Sequence, residues 1–213
     1  MADARALFYE KKGKMLVEHL KSRHFDAYYC ATREDALRQA LELIPEGSSV
    51  GWGGATSALE IGLLDAIRHG NYLAYDRESV ETDEEREAIL RKCFGADFFI
   101  TGANALSLDG QMVNIDGNGN RAAAIIFGPK KVLVIAGMNK VEDTLDAAVN
   151  RARTKAAPMN QQRFGFENNP CTVTGSCADC KSETCICNHI VVTRHCRPAG
   201  RIAFILVGEE LGL

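Results

Sequence analysis

The chain has 213 residues, 46% hydrophobic and 25% charged, enough to bury a full core as one domain over residues 1–213. Its formal net charge of -3 excludes nucleic-acid recognition by general electrostatics, and no apolar run approaches the roughly 20 residues of a membrane span. The charged N-terminal stretch lacks the apolar core of a secretory signal, so the expectation is a cytoplasmic protein with reduced thiols.

In chain order, residues 4–22 form a lysine-rich amphipathic helix carrying Leu7, Leu16, Val17 and Leu20, with Gly13 as its weak point. Residues 25–30 read as a strand and 33–44 as a helix stopped by Pro45-Glu46-Gly47, so residues 1–47 are expected to pack on the domain as a mainly helical segment. Residues 48–52 are a short buried strand, and 57–69 a helix with Gly70 at its C-terminal cap. Thr82 and Glu85 have the spacing of a capping box, opening a helix that ends near Gly95. Residues 96–101 and 131–136 are near-continuously apolar, as parallel strands covered on both faces must be. A helix over 143–155 follows, and 190–193 and 201–207 supply the last strands. This alternation predicts an α/β fold: an open, mostly parallel sheet with helices on both faces, plus a Cys-rich C-terminal loop.

In such sheets ligands bind beyond the C-terminal strand ends. There Gly51, Gly53 and Gly54 precede Thr56 and Ser57 at a helix start, where backbone N–H groups suit a small anion such as a carboxylate or phosphate. The alternative is a tight turn that only packs helix on strand. The segment is no P-loop, because no Gly-Lys-Ser/Thr follows, and no dinucleotide fingerprint, because Thr56 stands at the sixth position; no nucleotide cofactor is evident. A second stretch, residues 101–121, contains a hairpin signal at Asp109-Gly110 and gathers Asn104, Asn114, Asp116, Gly119 and Asn120. It is no calcium loop, since Arg121 and Phe127 occupy the positions that need glycine and glutamate. Its amides and Asp116 suit the hydroxyls of a polyol, or a carboxylate. Lys140 follows the 131–136 strand and arrives at the same edge with a positive charge, unless it is a solvated helix-start lysine. Asp116, Lys140 and Asn104 are the candidate catalytic groups.

Five of the eight cysteines, Cys171, Cys177, Cys180, Cys185 and Cys187, crowd into the 168–190 segment. Cys177 and Cys180 are separated by two residues, the spacing that brings two thiolates to one soft metal, while Cys171 and the Cys185/Cys187 pair close the shell from either side. A metal or iron–sulfur site, thiol redox chemistry and unligated structural cysteines are the three readings.

The series Gly51-Trp52-Gly53-Gly54-Ala55-Thr56-Ser57, Thr101-Gly102-Ala103-Asn104, residues 113–121, Gly137-Met138-Asn139-Lys140, the Cys171–Asn188 segment and Val207-Gly208-Glu209-Glu210-Leu211-Gly212 resembles the LUD-domain family of lactate-utilisation proteins. The resemblance runs from residue 51 to the last residues, so it covers most of the chain and rests on no single motif. It implies the fold of ribose-5-phosphate isomerase and the acyl-CoA transferases, and a part in oxidising lactate or a related hydroxy acid beside iron–sulfur partner proteins. It also implies Cys171, Cys177, Cys180 and Cys187 as one ligand set, with Cys185 a further candidate, and it leaves zinc and iron–sulfur both open. The relatives' fold carries an acid where this chain has Asn104, so a non-catalytic ligand-binding or regulatory protein, or an isomerase-like enzyme acting on a phosphorylated small molecule, stands as the alternative. Self-association is left open.

Overall fold

The computed structural model describes residues 3–213. The chain begins α1 (Ala4–Ser22), β1 (Asp26–Cys30), α2 (Arg33–Leu43) and β2 (Ser49–Gly53), then two short helices, α3 (Thr56–Glu60) and α4 (Leu63–His69). It continues through β3 (Leu73–Tyr75), α5 (Asp83–Cys93), β4 (Phe98–Gly102), β5 (Ala105–Ser107) and β6 (Met112–Asp116). The second half holds α6 (Asn120–Ile126), β7 (Lys131–Gly137), β8 (Val141–Glu142), α7 (Leu145–Arg151), α8 (Ala157–Gln161), α9 (Pro170–Thr174), β9 (His189–Thr193) and β10 (Ile202–Val207).

Six strands form one parallel sheet in the order β1-β10-β7-β4-β2-β3. The central strands bury alternate residues on opposite faces, which is the period-2 rule acting on an all-apolar strand. On β7, Val132, Val134 and Ala136 join Leu16, Val17 and Leu20 of α1 in one core. Leu133 and Ile135 face the other way, into a core shared with Ala36 and Ala40 of α2 and Leu63, Leu64 and Ile67 of α4. The sheet therefore has helices on both faces, as expected. The 1–47 segment does more than pack helices on the domain, because β1 is a strand of the main sheet, paired with β10.

Other expectations are corrected. The helix over 57–69 breaks in two at Gly62, whose φ of 79° lies in the left-handed region that interrupts a helix. The helix over 143–155 starts later, at Leu145, where the Thr144 hydroxyl accepts from the Ala147 N–H at 3.2 Å. It then passes 155 through one π turn at Ala152–Ala156 and on to Gln161; Pro158 is tolerated because it falls in the first turn of α8. Residues 190–193 do not complete the main sheet. They belong to β9, which lies antiparallel to β6 in a second sheet of order β8-β5-β6-β9, with His189 opposite Asp116. The hairpin at Asp109-Gly110 forms between β5 and β6. The polar stretch after β6 is not all loop, since α6 starts at Asn120.

The chain steps outward from β2 to the edge strand β3 and returns to β4 on the other side of β2. Helices α3 and α4 pack on one face during the first step, and α5 with Cys93 on the other during the second. The connections thus part company between β2 and β4, which opens a crevice at the C-terminal edge of these strands.

Candidate functional site: a sheet-edge cavity beside a cysteine cavity

Three loops meet at that crevice because β7, β4 and β2 are successive neighbours with one direction. The loop after β2 brings Gly53 and Gly54, that after β4 brings Asn104, and that after β7 brings Lys140. Hydrogen bonds tie them together: Thr101 Oγ1 donates to Gly53 O at 2.8 Å, Gly102 N to Gly54 O at 3.1 Å, and Asn114 Nδ2 to Gly102 O at 3.2 Å. The result is a cavity of about 530 Å³, walled by these loops, by the N-terminal end of α6 and by residues 160–166 and 183–188.

Its floor is cationic. Arg121 donates from Nη2 to Asn104 Oδ1 at 2.9 Å and to Ile115 O, and its Nε lies 3.8 Å from Asp116 Oδ2. Burial pulls this guanidinium below its ordinary pKa, against the pull of Asp116. Lys140 is 4% exposed, and its Nζ donates to Ser57 Oγ at 3.1 Å. Burial, joined by the nearby Arg151 and Arg121, pushes its pKa down to about 8, with Glu60 acting the other way. Arg163 donates from Nη1 to Thr56 Oγ1 at 3.3 Å, and Arg77 also lines the wall. Against these four cations the lining side chains offer Asp116 and Glu183.

The expected site residues fall into three groups. Gly53, Gly54, Thr56, Asn104, Asp116, Asn120 and Lys140 line the cavity. Ser57, 1% exposed, backs the cavity by holding Lys140, and Asn114, 1% exposed, sits behind Gly102 with its Oδ1 unpartnered. Gly51 and Gly119 are spent elsewhere. A Cβ on Gly51 would lie 2.4 Å from Cys93 Sγ, so that glycine admits α5, while Gly119, at φ 79°, starts α6. Two candidate catalytic groups also carry structural duties. Asn104 Oδ1 is filled by Ile115 N and Arg121, both at 2.9 Å. Asp116 accepts from Gly119 N at 3.3 Å and Ala122 N at 2.8 Å, so its carboxylate caps α6. Arg121, Arg163, Arg77 and the stacked rings of Phe164 and Phe166, 6.2 Å apart, were not among the expected residues. Arg121 carried a usable signal, an arginine closing a glycine-asparagine loop; residues 160–166 carried none.

The second cavity, about 70 Å³, lies in the tail and is lined by all five clustered cysteines together with Arg153, Pro158, Gln161, Asn169 and Ile190. None of the cysteines is in a disulfide. Asn169, 1% exposed, organises the loop: its Oδ1 accepts from the Ser182 and Thr184 hydroxyls and its Nδ2 donates to Thr184 O at 3.3 Å. The Cys187 N–H donates to Cys185 Sγ at 3.4 Å. Burial and neighbouring thiols push Cys187 up to about 12. The two cavities share a wall, since Cys185 and Ile186 line both. That wall is held from the sheet side by Asn188 Nδ2 donating to Gly117 O at 3.1 Å, and a Cβ on Gly117 would lie only 3.3 Å from Ile186 Cα.

The LUD domain family model matches residues 13–207. The chain belongs to the LUD-domain family. It is in that general sense a protein of the lactate-utilisation type. No curated protein matches its sequence. Among solved structures, this LUD domain is similar to a DUF162 family protein from Deinococcus radiodurans, with TM-score 0.54 and 9% identity over 93% of this chain and 97% of that one. At such low identity the likeness shows the fold. A second similar chain, eIF2B delta from Chaetomium thermophilum, has TM-score 0.36 and 17% identity, covering 65% of this chain and 57% of that one. Among the described residues no helix is long and apolar enough to cross a membrane.

Proposed function

We propose that this LUD domain holds a small hydroxy or oxo carboxylate in the sheet-edge cavity, and a metal-containing redox group among the tail cysteines, as one component of oxidation of lactate or a related hydroxy acid. The observation that carries the reading is the common wall: Cys185 and Ile186 face both cavities, so a ligand in one lies a residue's width from a group in the other.

The cavity chemistry supports an anion. Arg163 with Thr56 and the floor guanidinium of Arg121 are placed to bind a carboxylate, a group that suits the paired donors of arginine. Lys140 and the Asn104 amide, whose nitrogen has no hydrogen bond among the described residues, are placed to orient the adjacent hydroxyl or carbonyl oxygen. The stacked Phe164 and Phe166 flank the cavity.

The cysteine cavity suits a group of several atoms better than a lone ion. A single zinc draws its sulfurs to about 2.3 Å, which would close the space among them. Among the described residues no three His, Cys, Asp or Glu side chains stand close enough together to hold a metal ion. Yet five thiols face about 70 Å³, several times the 10–15 Å³ that one water-sized occupant requires. Cys171, Cys177, Cys180 and Cys187, with Cys185 on the shared wall, would hold an iron–sulfur cluster. Such a cluster, when bound, supplies one-electron transfer. A hydroxy acid gives up two electrons, so a partner protein that accepts them completes the reaction.

The test is anaerobic purification with iron and sulfide analysis, a visible spectrum, and titration with oxalate as an unreactive carboxylate. Iron with sulfide, and a rise in melting temperature with oxalate, are expected. Stoichiometric zinc, or no metal, overturns the redox part; absence of an oxalate shift overturns the carboxylate part. A purely ligand-binding role is favoured instead if the cluster is absent, because Asn104 has its acceptor filled and an amide supplies no general acid.

A further inference from the structure

Lys140 has an environment that binding a carboxylate does not require. Among the described residues its ammonium makes no ion pair, and its one hydrogen bond, to Ser57 Oγ at 3.1 Å, serves one of three N–H donors. A buried lysine that only neutralised a carboxylate would gain from a carboxylate partner in the fold. Glu60, the acid that acts on it, is instead engaged by the Gly212 N–H at 2.7 Å. Glycine backbone also borders Nζ closely. A Cβ on Gly212 would sit 2.9 Å from Nζ and 2.8 Å from Ser57 Oγ, and Gly212 has φ 61°, a conformation natural to glycine. On the other side Gly102 presents bare backbone, with Nζ 4.0 Å from where its Cβ would stand. The amine is thus 4% exposed, fixed by one hydroxyl, bordered by two glycines, and opens on a cavity whose other cations suit a carboxylate.

We propose that Lys140 is a nucleophile that captures a 2-oxo carboxylate in the cavity as an imine. This rests on the carboxylate reading of the cavity and adds a covalent step to it. The Nζ lone pair adds to the carbonyl carbon beside the carboxylate, giving a carbinolamine. The carbonyl oxygen then leaves as water with the two amine protons, and a carbon–nitrogen double bond remains; no oxidant or reductant is needed. Ser57 Oγ is the positioning group for the amine, and Arg163, Arg121 and Thr56 hold the carboxylate so that the carbonyl reaches Nζ rather than solvent. The groups packed about Nζ favour the unprotonated amine that such an attack needs: Arg151 and Arg121 are like charges, and Glu60, the one acid acting on it, opposes them only in part.

The test uses the wild-type chain as purified anaerobically, with pyruvate and glyoxylate as probes and borohydride to reduce the imine to a stable secondary amine. Intact mass and peptide mapping are the readouts. A single adduct on the peptide carrying Lys140, suppressed by excess oxalate, is expected. An adduct absent, or spread over surface lysines and indifferent to oxalate, overturns the proposal. Oxalate-induced stabilisation, measured on the same sample, separates the failures: stabilisation without an adduct sinks the imine alone, and neither sinks the carboxylate reading as well. Lys140→Arg is expected to abolish the adduct. Should that variant fold poorly, exchange of pyruvate's carbonyl oxygen with labelled water decides: imine formation and hydrolysis at the site accelerate it above the protein-free hydration rate and oxalate suppresses the gain, whereas no oxalate-sensitive acceleration overturns the proposal.

Discussion

The two cavities share a wall but are built on opposite principles. The sheet-edge cavity is completed by the chain itself: Asn104 fills its acceptor with Ile115 and Arg121, Asp116 caps α6, and Thr101 and Asn114 tie the strand ends together. The cysteine cavity is framed by Asn169 but its sulfurs find little in the protein to bond with, and thiols are weak partners for one another. A polar site whose framework is bonded in this way is held in place before its ligand arrives, with Lys140 and the Asn104 amide nitrogen left over for it. One whose best ligands are left over is finished only by what it binds.

The largest effect should come from the second region. Thiolate-held structural zinc contributes apparent binding energies of about 10–16 kcal/mol in small peptides, so if the cysteine cavity holds the proposed metal group, Cys177→Ser or Cys180→Ser is expected to lose it and to raise hydrogen exchange across 165–188. The parallel sheet should keep its protection. Loss of protection throughout the molecule would mean that the contrast between the regions is false.

Gly54→Val tests the first region. Gly54 has φ 58°, and its Cβ would lie 2.7 Å from Arg121 Nη1, so the substitution meets both backbone strain and a buried guanidinium. A cost of about 1–3 kcal/mol for the backbone alone is expected, seen as a lower melting temperature with oxalate stabilisation lost and metal content retained. Unchanged oxalate binding would show that the loop is only a turn.

Lys140 makes the first region pH-dependent. Its folded pKa of about 8 lies below the unfolded value near 10.4, so between these pH values the unfolded chain binds more protons and stability rises with pH. Denaturant unfolding should show the wild type gaining on the order of 3 kcal/mol relative to Lys140→Met between pH 7 and 10. A parallel pH dependence in the two proteins would place Nζ in solvent.

The smallest effect is expected at the mouth. Arg163→Ala removes a charge-assisted contact worth about 1.5–3 kcal/mol at most when buried, and less at an exposed site. Oxalate affinity should fall by about tenfold with the melting temperature of the free protein unchanged. No change in affinity would move the carboxylate deeper, to Arg121 and Lys140.

The sequence made the sheet legible because apolar runs such as 131–136 admit few alternatives to a covered parallel strand. Lys140, Asn104 and Gly54 were legible for a related reason: they follow such strands, and parallel strands deliver their ends to one edge. Asp116 was found for chemistry yet also caps α6, since a carboxylate near a helix start reads alike in either role. The split at Gly62 and the transfer of 190–193 to the second sheet were hidden, because strand partners are a tertiary choice that local pattern does not encode. The shared wall was hidden most deeply. It depends on Gly117 letting Ile186 approach, a contact between residues far apart in the chain.

β10 follows every other strand in the sequence, yet it runs between the edge strand β1 and β7 as an interior strand of the sheet. During synthesis β1 precedes β10 and has no strand partner until residues 202–207 follow. Its pairing edge therefore waits open while residues 31–201 are made. The sheet of this domain cannot close before residues 202–207 are made, and until that moment the nascent chain is a client for whatever binds unpaired strands.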